Sequence, residues 1–380
     1  MKIEKSQEFK YSIYTILDPE LAGLIRNAGF NVSEVSPLSG VDRSNPDREP
    51  SEAAEGLKGA LEILTDPGRI FSVRTWPAGG SWIHYYGASD KPNLVAFTRN
   101  ERNGASLLIW PVTRTALVNF ASAPLMSSAA EQQDETSFDL TLSELLLLAS
   151  LADIHQEVSL QGFIDRRTSF DVLFTEDDIQ ATYRKGLITD DPRWVVSRLA
   201  PVIGDDLPDA LDGVTGLLET FRRKRFLTKD EDGYLASPAG ELVLRQLAEI
   251  DGLSSIVAKW RMNGKSRAYW EESRAIYQSN RWQIWHYDLS DSSQRISKSE
   301  LRVISRAALS RGLDDVFKAP PFSSSVSDGQ VLDEPKCSDS GKPFEHVASA
   351  PDTLKCPKCN APLRKGVKFC TTCGQSLSAV

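Results

Sequence analysis

The residues that most often carry chemistry are scarce in this 380-residue chain, which has four histidines, three methionines and five cysteines. The cysteine number is odd, and four of the five fall within the last 25 residues, which argues against a secreted disulfide scaffold. Long apolar runs are also missing. The longest aliphatic stretch, Leu145 to Leu148 with Ala149 beyond it, falls far short of the roughly 20 residues that span a bilayer. Met1 to Leu17 alternates charged and apolar residues and has no continuous core for a signal peptide, so a cytoplasmic location is expected. Thiols there stay reduced and free to bind metal. There is no basic excess: 44 Lys and Arg against 52 Asp and Glu give a net charge of −8, too acidic for a body built to hold a phosphate backbone.

Catalytic signatures are absent as well. No Gly-rich phosphate loop, nucleophile elbow, His-Glu-x-x-His or deaminase motif occurs. His84, His155, His286 and His346 lie in unrelated contexts; His84 and His286 sit in aromatic strand-like runs, where a packed, hydrogen-bonded imidazole is the ordinary role. Glu176-Asp177-Asp178 and Asp205-Asp206 read as helix N-terminal charge. The expectation is a protein that is not an enzyme. With 41% hydrophobic and 25% charged residues the chain can nonetheless build a full core, which excludes collagen-like and wholly disordered classes.

Periodicity and turn signals divide the chain into four blocks. The first, 1–126, holds a polar Pro-rich loop from Asn31 to Pro50 and a helix from Ser51 to Thr65. Strand-like runs follow at Ile70–Trp76, Ser81–Tyr86, Leu94–Thr98 and Ser106–Pro111, then a helix over Val112–Phe120. The second, 138–317, begins with Thr141 as cap and Glu144 answering it, a capping box. Helices are predicted at Glu176–Lys185, Pro192–Ile203, Leu211–Arg225 and Gly240–Ile250, and strands at Ser255–Arg261, Arg267–Glu271, Arg274–Tyr277 and Trp282–Leu289. A last helix is predicted from Ser299 to Ser310. Both blocks run helices, a strand ending in Trp76 or Trp260, aromatic strands, a strand carrying Trp110 or Trp285, then a helix. The pattern reads as a diverged duplication, the alternative being chance likeness of two α+β units. The fold class expected is therefore α+β: two quasi-repeated halves of mainly antiparallel strands plus helices. The tryptophans read as sheet core.

Segment 318–352 is rich in Pro and Ser and lacks apolar periodicity, so it reads as a flexible linker. Cys337 within it, with His346 beyond, reads as a solvent-exposed bystander. Segment 353–380 carries Cys356-Pro-Lys-Cys359 and Cys370-Thr-Thr-Cys373. Each Cys-x-x-Cys forms a tight knuckle that turns both thiolates to one ion, and two facing knuckles make a tetrahedral site for one structural Zn²⁺. A redox pair would need a thioredoxin-like βαβ context, which the flanking sequence lacks. The segment resembles the short zinc-ribbon family appended to many bacterial proteins. It holds five basic residues (Lys355, Lys358, Arg364, Lys365 and Lys368) and no acidic one, so it is expected to meet an acidic surface, on the body or on a partner.

Within the second block, residues 211–250 have the order of a winged-helix unit. A helix ends in Arg222-Arg223-Lys224-Arg225, a wing turns at Asp232-Gly233, and the next helix opens at Ser237-Pro238. The four basic residues are candidates for contacting nucleic-acid phosphates. Against that, basic residues in a last turn complement the helix dipole, and the wing carries Asp230, Glu231 and Asp232, which repel phosphate. Such units also serve as protein-interaction modules.

The run from Leu61-Glu-Ile-Leu-Thr-Asp-Pro-Gly-Arg-Ile70 through Trp110, and again from Leu142 to Trp285, resembles in element order the EspG-type chaperones of type VII secretion. That resemblance implies a cytosolic two-half α+β body that binds a helical export substrate, and it carries over no substrate-binding residue. An adaptor or secretion-chaperone-like protein that binds a protein partner and does not insert into a membrane is the function expected. A winged-helix DNA-binding regulator is the alternative.

Overall fold

The computed structural model describes residues 2–318 apart from 7–10, 40, 42–53, 78–80, 90, 101–104, 127–136, 167–171, 264–267 and 290–297. The linker, Cys337, His346 and the four ribbon cysteines lie outside the described residues.

The first half runs β1 (Lys2–Ser6), β2 (Tyr11–Leu17), α1 (Asp18–Asn27), α2 (Ala54–Thr65), β3 (Arg69–Trp76), β4 (Trp82–Gly87), β5 (Leu94–Asn100), β6 (Ala105–Val112) and α3 (Arg114–Ser122). The second begins with β7 (Ser137–Thr141), α4 (Leu142–Ile164), β8 (Leu173–Phe174), α5 (Glu176–Ile188), α6 (Val195–Ile203), α7 (Val214–Arg223), β9 (Leu227–Lys229), β10 (Tyr234–Ala236) and α8 (Pro238–Ala248). It ends with β11 (Gly252–Asn263), β12 (Ala268–Ser279), β13 (Ile284–Asp288), β14 (Lys298–Ile304) and α9 (Arg306–Val316).

Eleven strands form one antiparallel sheet in the order β1-β2-β6-β5-β4-β3-β11-β12-β13-β14-β7. From the β3–β11 seam outward the two sides have the same plan, β3-β4-β5-β6-β2 on one and β11-β12-β13-β14-β7 on the other. The halves are quasi-repeats, and they share one sheet. Along the seam Leu253 pairs with Trp76, Ile256 with Val73 and Trp260 with Arg69.

Side-chain alternation assigns the helical layers, because successive strand residues face opposite sides of a sheet. Phe71 and Val73 on β3, and Ile256, Ala258 and Trp260 on β11, join a core with Leu117 of α3 and Leu309 and Leu313 of α9. Leu253 and Val257 face the other side, towards α4–α8. Ile70 also turns to that side, where α1 and α2 pack through Leu21, Ile25, Leu57 and Leu61.

Helix α4 is apolar on every side over Leu145–Leu148 because it lies under α5, α6, α7 and α8 and above the sheet. Its N-terminus has the expected capping box: Thr141 Oγ1 accepts from Glu144 N at 3.2 Å, and Glu144 Oε2 accepts from Thr141 N at 2.8 Å. Buried Asp153, midway along α4, accepts from the backbone N–H groups of Val195 at 2.6 Å and Val196 at 3.0 Å. It thereby caps α6, whose own N-cap residue Trp194 offers no side-chain bond. Burial pushes the Asp153 carboxyl up to about 6, against the pull of those N–H groups and of Arg198.

The structure corrects two sequence expectations. Residues Ser299–Ser310 are not one helix; β14 ends at Ile304 and α9 starts at Arg306, with Ser305 as cap. The described residues of the expected strand Arg267–Glu271, from Ala268 on, and Arg274–Tyr277 are parts of the single strand β12. With β14 in place, Trp285 on β13 corresponds to β5, and the counterpart of Trp110 on β6 lies on β14.

Candidate functional site

Strand β7 closes one end of the sheet, and beside it opens a pocket of about 300 Å³. Phe138, Asp139 and Leu140 of β7 form one wall. Leu148 of α4 and Val243 of α8 form the floor and far side, and Phe221, Lys224 and Phe226 complete the rim. Six of these eight side chains are large and apolar. Phe138 stacks on buried Trp285, with ring centroids 6.5 Å apart, which fixes the wall against the core.

The rim is built by the way α7 stops. Arg225 takes a left-handed conformation (φ 59°), its N–H bonds to Arg222 O at 2.9 Å, and Phe226 N bonds to Phe221 O at 2.9 Å. These bonds are the double closure of a Schellman motif, in which the residue after the left-handed one packs back on the helix. Phe226 does so, edge-on against Phe221 at 5.4 Å. The chain then enters β9, turns at Asp230–Gly233, and returns as β10 beside β8.

The sequence-predicted cluster lies on this same helix end. Arg222 Nε pairs with Glu219 at 2.7 Å, Arg223 donates to Thr220 Oγ1 at 3.1 Å, and Lys224 Nζ pairs with Glu144 at 2.9 Å. Burial alone would raise the Glu144 carboxyl; the Lys224 ammonium and the Thr141 N–H outweigh it and hold its pKa below the usual range. Glu219 also accepts from Tyr234 Oη at 2.7 Å, tying α7 to β10. Glu176, Asp177, Asp178, Asp209 and Asp212, before α7 in the chain, and Asp230, Glu231 and Asp232, in the β9–β10 turn, are all exposed.

Among the described residues, the histidines are not brought together. Ser72 Oγ and His84 Nδ1 lie 2.8 Å apart, and Arg302 Nε donates to His286 Nδ1 at 3.0 Å while His286 stacks on Tyr277. Burial, then the Arg302 charge, lowers the His286 pKa to about 4. Among the described residues no cluster of His, Cys, Asp and Glu is arranged to hold a metal, and no helix is long and apolar enough to cross a membrane.

Sequence reasoning missed the pocket and a second surface, of about 380 Å³, between α8 and the turn before β13. There Leu242 and Trp282 are each 56% exposed. Neither site has a local signature. Phe138 and Val243 are neighbours only after the sheet and helical layer have formed.

Residues 355–377 match the zinc-ribbon domain family. The matched segment contains Cys356, Cys359, Cys370 and Cys373. No curated protein matches the chain. Among solved structures, one similar to this chain is the Mycobacterium tuberculosis type VII secretion system chaperone EspG5, determined in complex with a PE25-PPE41 dimer. The two share 10% sequence identity over 82% of this chain and 97% of that chain, with a TM-score of 0.38.

Proposed function

We propose that this chain is a non-enzymatic cytoplasmic adaptor, of a secretion-chaperone-like kind, whose α+β body captures a protein partner at the β7 pocket. The observation that carries the reading is an apolar, aromatic-walled pocket opening at the end of a sheet. Concave apolar sites of this size, with few polar groups, bind ligands by burying their apolar surface, and aromatic anchors dominate protein interfaces. The zinc ribbon offers a second contact. Four thiolates from Cys356, Cys359, Cys370 and Cys373 suit one tetrahedral Zn²⁺ and leave no open coordination position, so the metal supplies folding energy to the ribbon and no catalytic chemistry.

Nucleic-acid binding through Arg222, Arg223, Lys224 and Arg225 has less support. Two of the four charges already meet carboxylates, and the two that remain make no extended basic surface for a phosphate backbone.

In-cell photocrosslinking tests the reading. A benzophenone amino acid at Phe226 is expected to give one dominant protein adduct, absent when the group replaces exposed Arg26 on α1. Equal labelling from both positions, or an adduct with nucleic acid, would reject the proposal.

A further inference from the structure

The quasi-repeat gives the β7 edge a counterpart within the molecule. In the first half the strand equivalent to β7 is β2, and the outer edge of β2 is covered by β1, paired antiparallel from Lys2↔Thr15 to Ser6↔Tyr11. In the second half, among the described residues, nothing pairs with the outer edge of β7. The side chains of β7 alternate, with Phe138 half-buried and Leu140 buried and with Ser137, Asp139 and Thr141 exposed, Asp139 also bordering the pocket. An edge strand whose inner row continues into an apolar pocket offers both parts of strand-addition recognition: main-chain hydrogen bonds for affinity and a side-chain pocket for specificity.

Resting on the adaptor reading, we infer that β7 receives an extended segment of the partner protein as a further antiparallel strand. One large apolar side chain of that segment fills the pocket, and an acidic side chain beside it meets the Arg222–Arg225 cluster. The chain's own preceding segment, 127–136, is Ser-Ser-Ala-Ala-Glu-Gln-Gln-Asp-Glu-Thr and has no residue large and apolar enough to fill that space. The acidic preference follows from the charge on the rim. Arg223 meets only hydroxyl and carbonyl oxygens, and Arg225 is exposed, so the helix end keeps positive charge after Glu219 and Glu144 have paired.

The test uses the full-length chain and a phage-displayed library of random linear peptides. Selected sequences should alternate apolar and polar residues, with Asp or Glu beside the anchor. Methylating the backbone nitrogens of a selected peptide one at a time should weaken binding by about tenfold or more at every second residue and little between them. The N–H groups of β7 that face away from β14 should gain hydrogen-exchange protection, whereas Thr141 N–H, already bonded to Glu144, should not. Val243→Asp should abolish binding, and the methylation series keeps the test independent of how that variant folds. Peptides that need the pocket but tolerate methylation throughout, with apolar residues at helical spacing, would overturn strand addition and leave the adaptor reading standing. No selected peptide, or binding indifferent to pocket substitutions, would overturn both.

Discussion

Ile256 on β11 stands directly opposite Val73 on β3, both fully buried in the core beneath α3 and α9. This pair lies in the seam where the two quasi-repeated halves become one sheet. Neither half can present a solvated edge at this position without exposing Phe71, Val73 and Ile256. Ile256→Ala should cost about 2–5 kcal/mol, the range for truncating a well-packed aliphatic side chain. Urea unfolding followed by tryptophan fluorescence and by far-ultraviolet dichroism should still show coincident transitions. Two separated transitions would mean that the halves fold independently.

Arg225 adopts a left-handed conformation that glycine accepts at no steric cost. Arg225→Gly should therefore stabilise the body by about 1 kcal/mol, offset in part by greater freedom of the unfolded chain. The denaturation midpoint should rise with an unchanged slope. A lower midpoint would show that the guanidinium contributes more than the backbone conformation costs.

Asp153 and His286 titrate in opposite senses. Burial raises the Asp153 carboxyl to about 6, so the native state holds its proton more tightly than the unfolded chain. Stability from this group is full below about pH 4 and is lost as pH rises towards 6, a change on the order of 3 kcal/mol. Burial and Arg302 depress His286 to about 4, so its contribution is full above pH 6.5 and is lost as pH falls. Asp153→Asn should therefore be less stable than wild type near pH 4, since it weakens the α6 cap, while its stability rises more steeply than wild type between pH 4 and 6 and closes that gap. Parallel stability–pH curves would refute the assignment.

Much of this architecture could be read before folding, and the reasons are local. Thr141 and Glu144 are three residues apart, Ser237 precedes Pro238, and the β3–β6 strands are separated by Gly- and Pro-containing turns. The ribbon's two Cys-x-x-Cys pairs are equally local. Strand β14 escaped because Leu301 and Ile304 stand three apart and run into Ala308 and Leu309, a spacing that imitates one helical face. Missing it also misaligned Trp285 with Trp110. Strand β7 is five residues long beside a polar connector, and its identity as an edge depends on pairing with β14, some 160 positions away. Nothing in Arg222–Arg225 announces that Lys224 reaches Glu144, 80 positions earlier.

Zinc should be bound at one ion per chain through the four ribbon cysteines. Cys359→Ser should lower the zinc content measured by elemental analysis and leave the urea transition of the body unchanged. Full zinc content in the variant would exclude this ligand set.

The central claim is that a protein partner occupies the β7 pocket. The most direct measurement is calorimetric titration of the crosslinked partner, once identified and purified, into wild-type chain and into Phe226→Ala. The pocket account predicts a dissociation constant in roughly the micromolar range or below for wild type, weakened about tenfold or more by loss of the aromatic rim. Equal affinity for both proteins, with the variant folded, would contradict it.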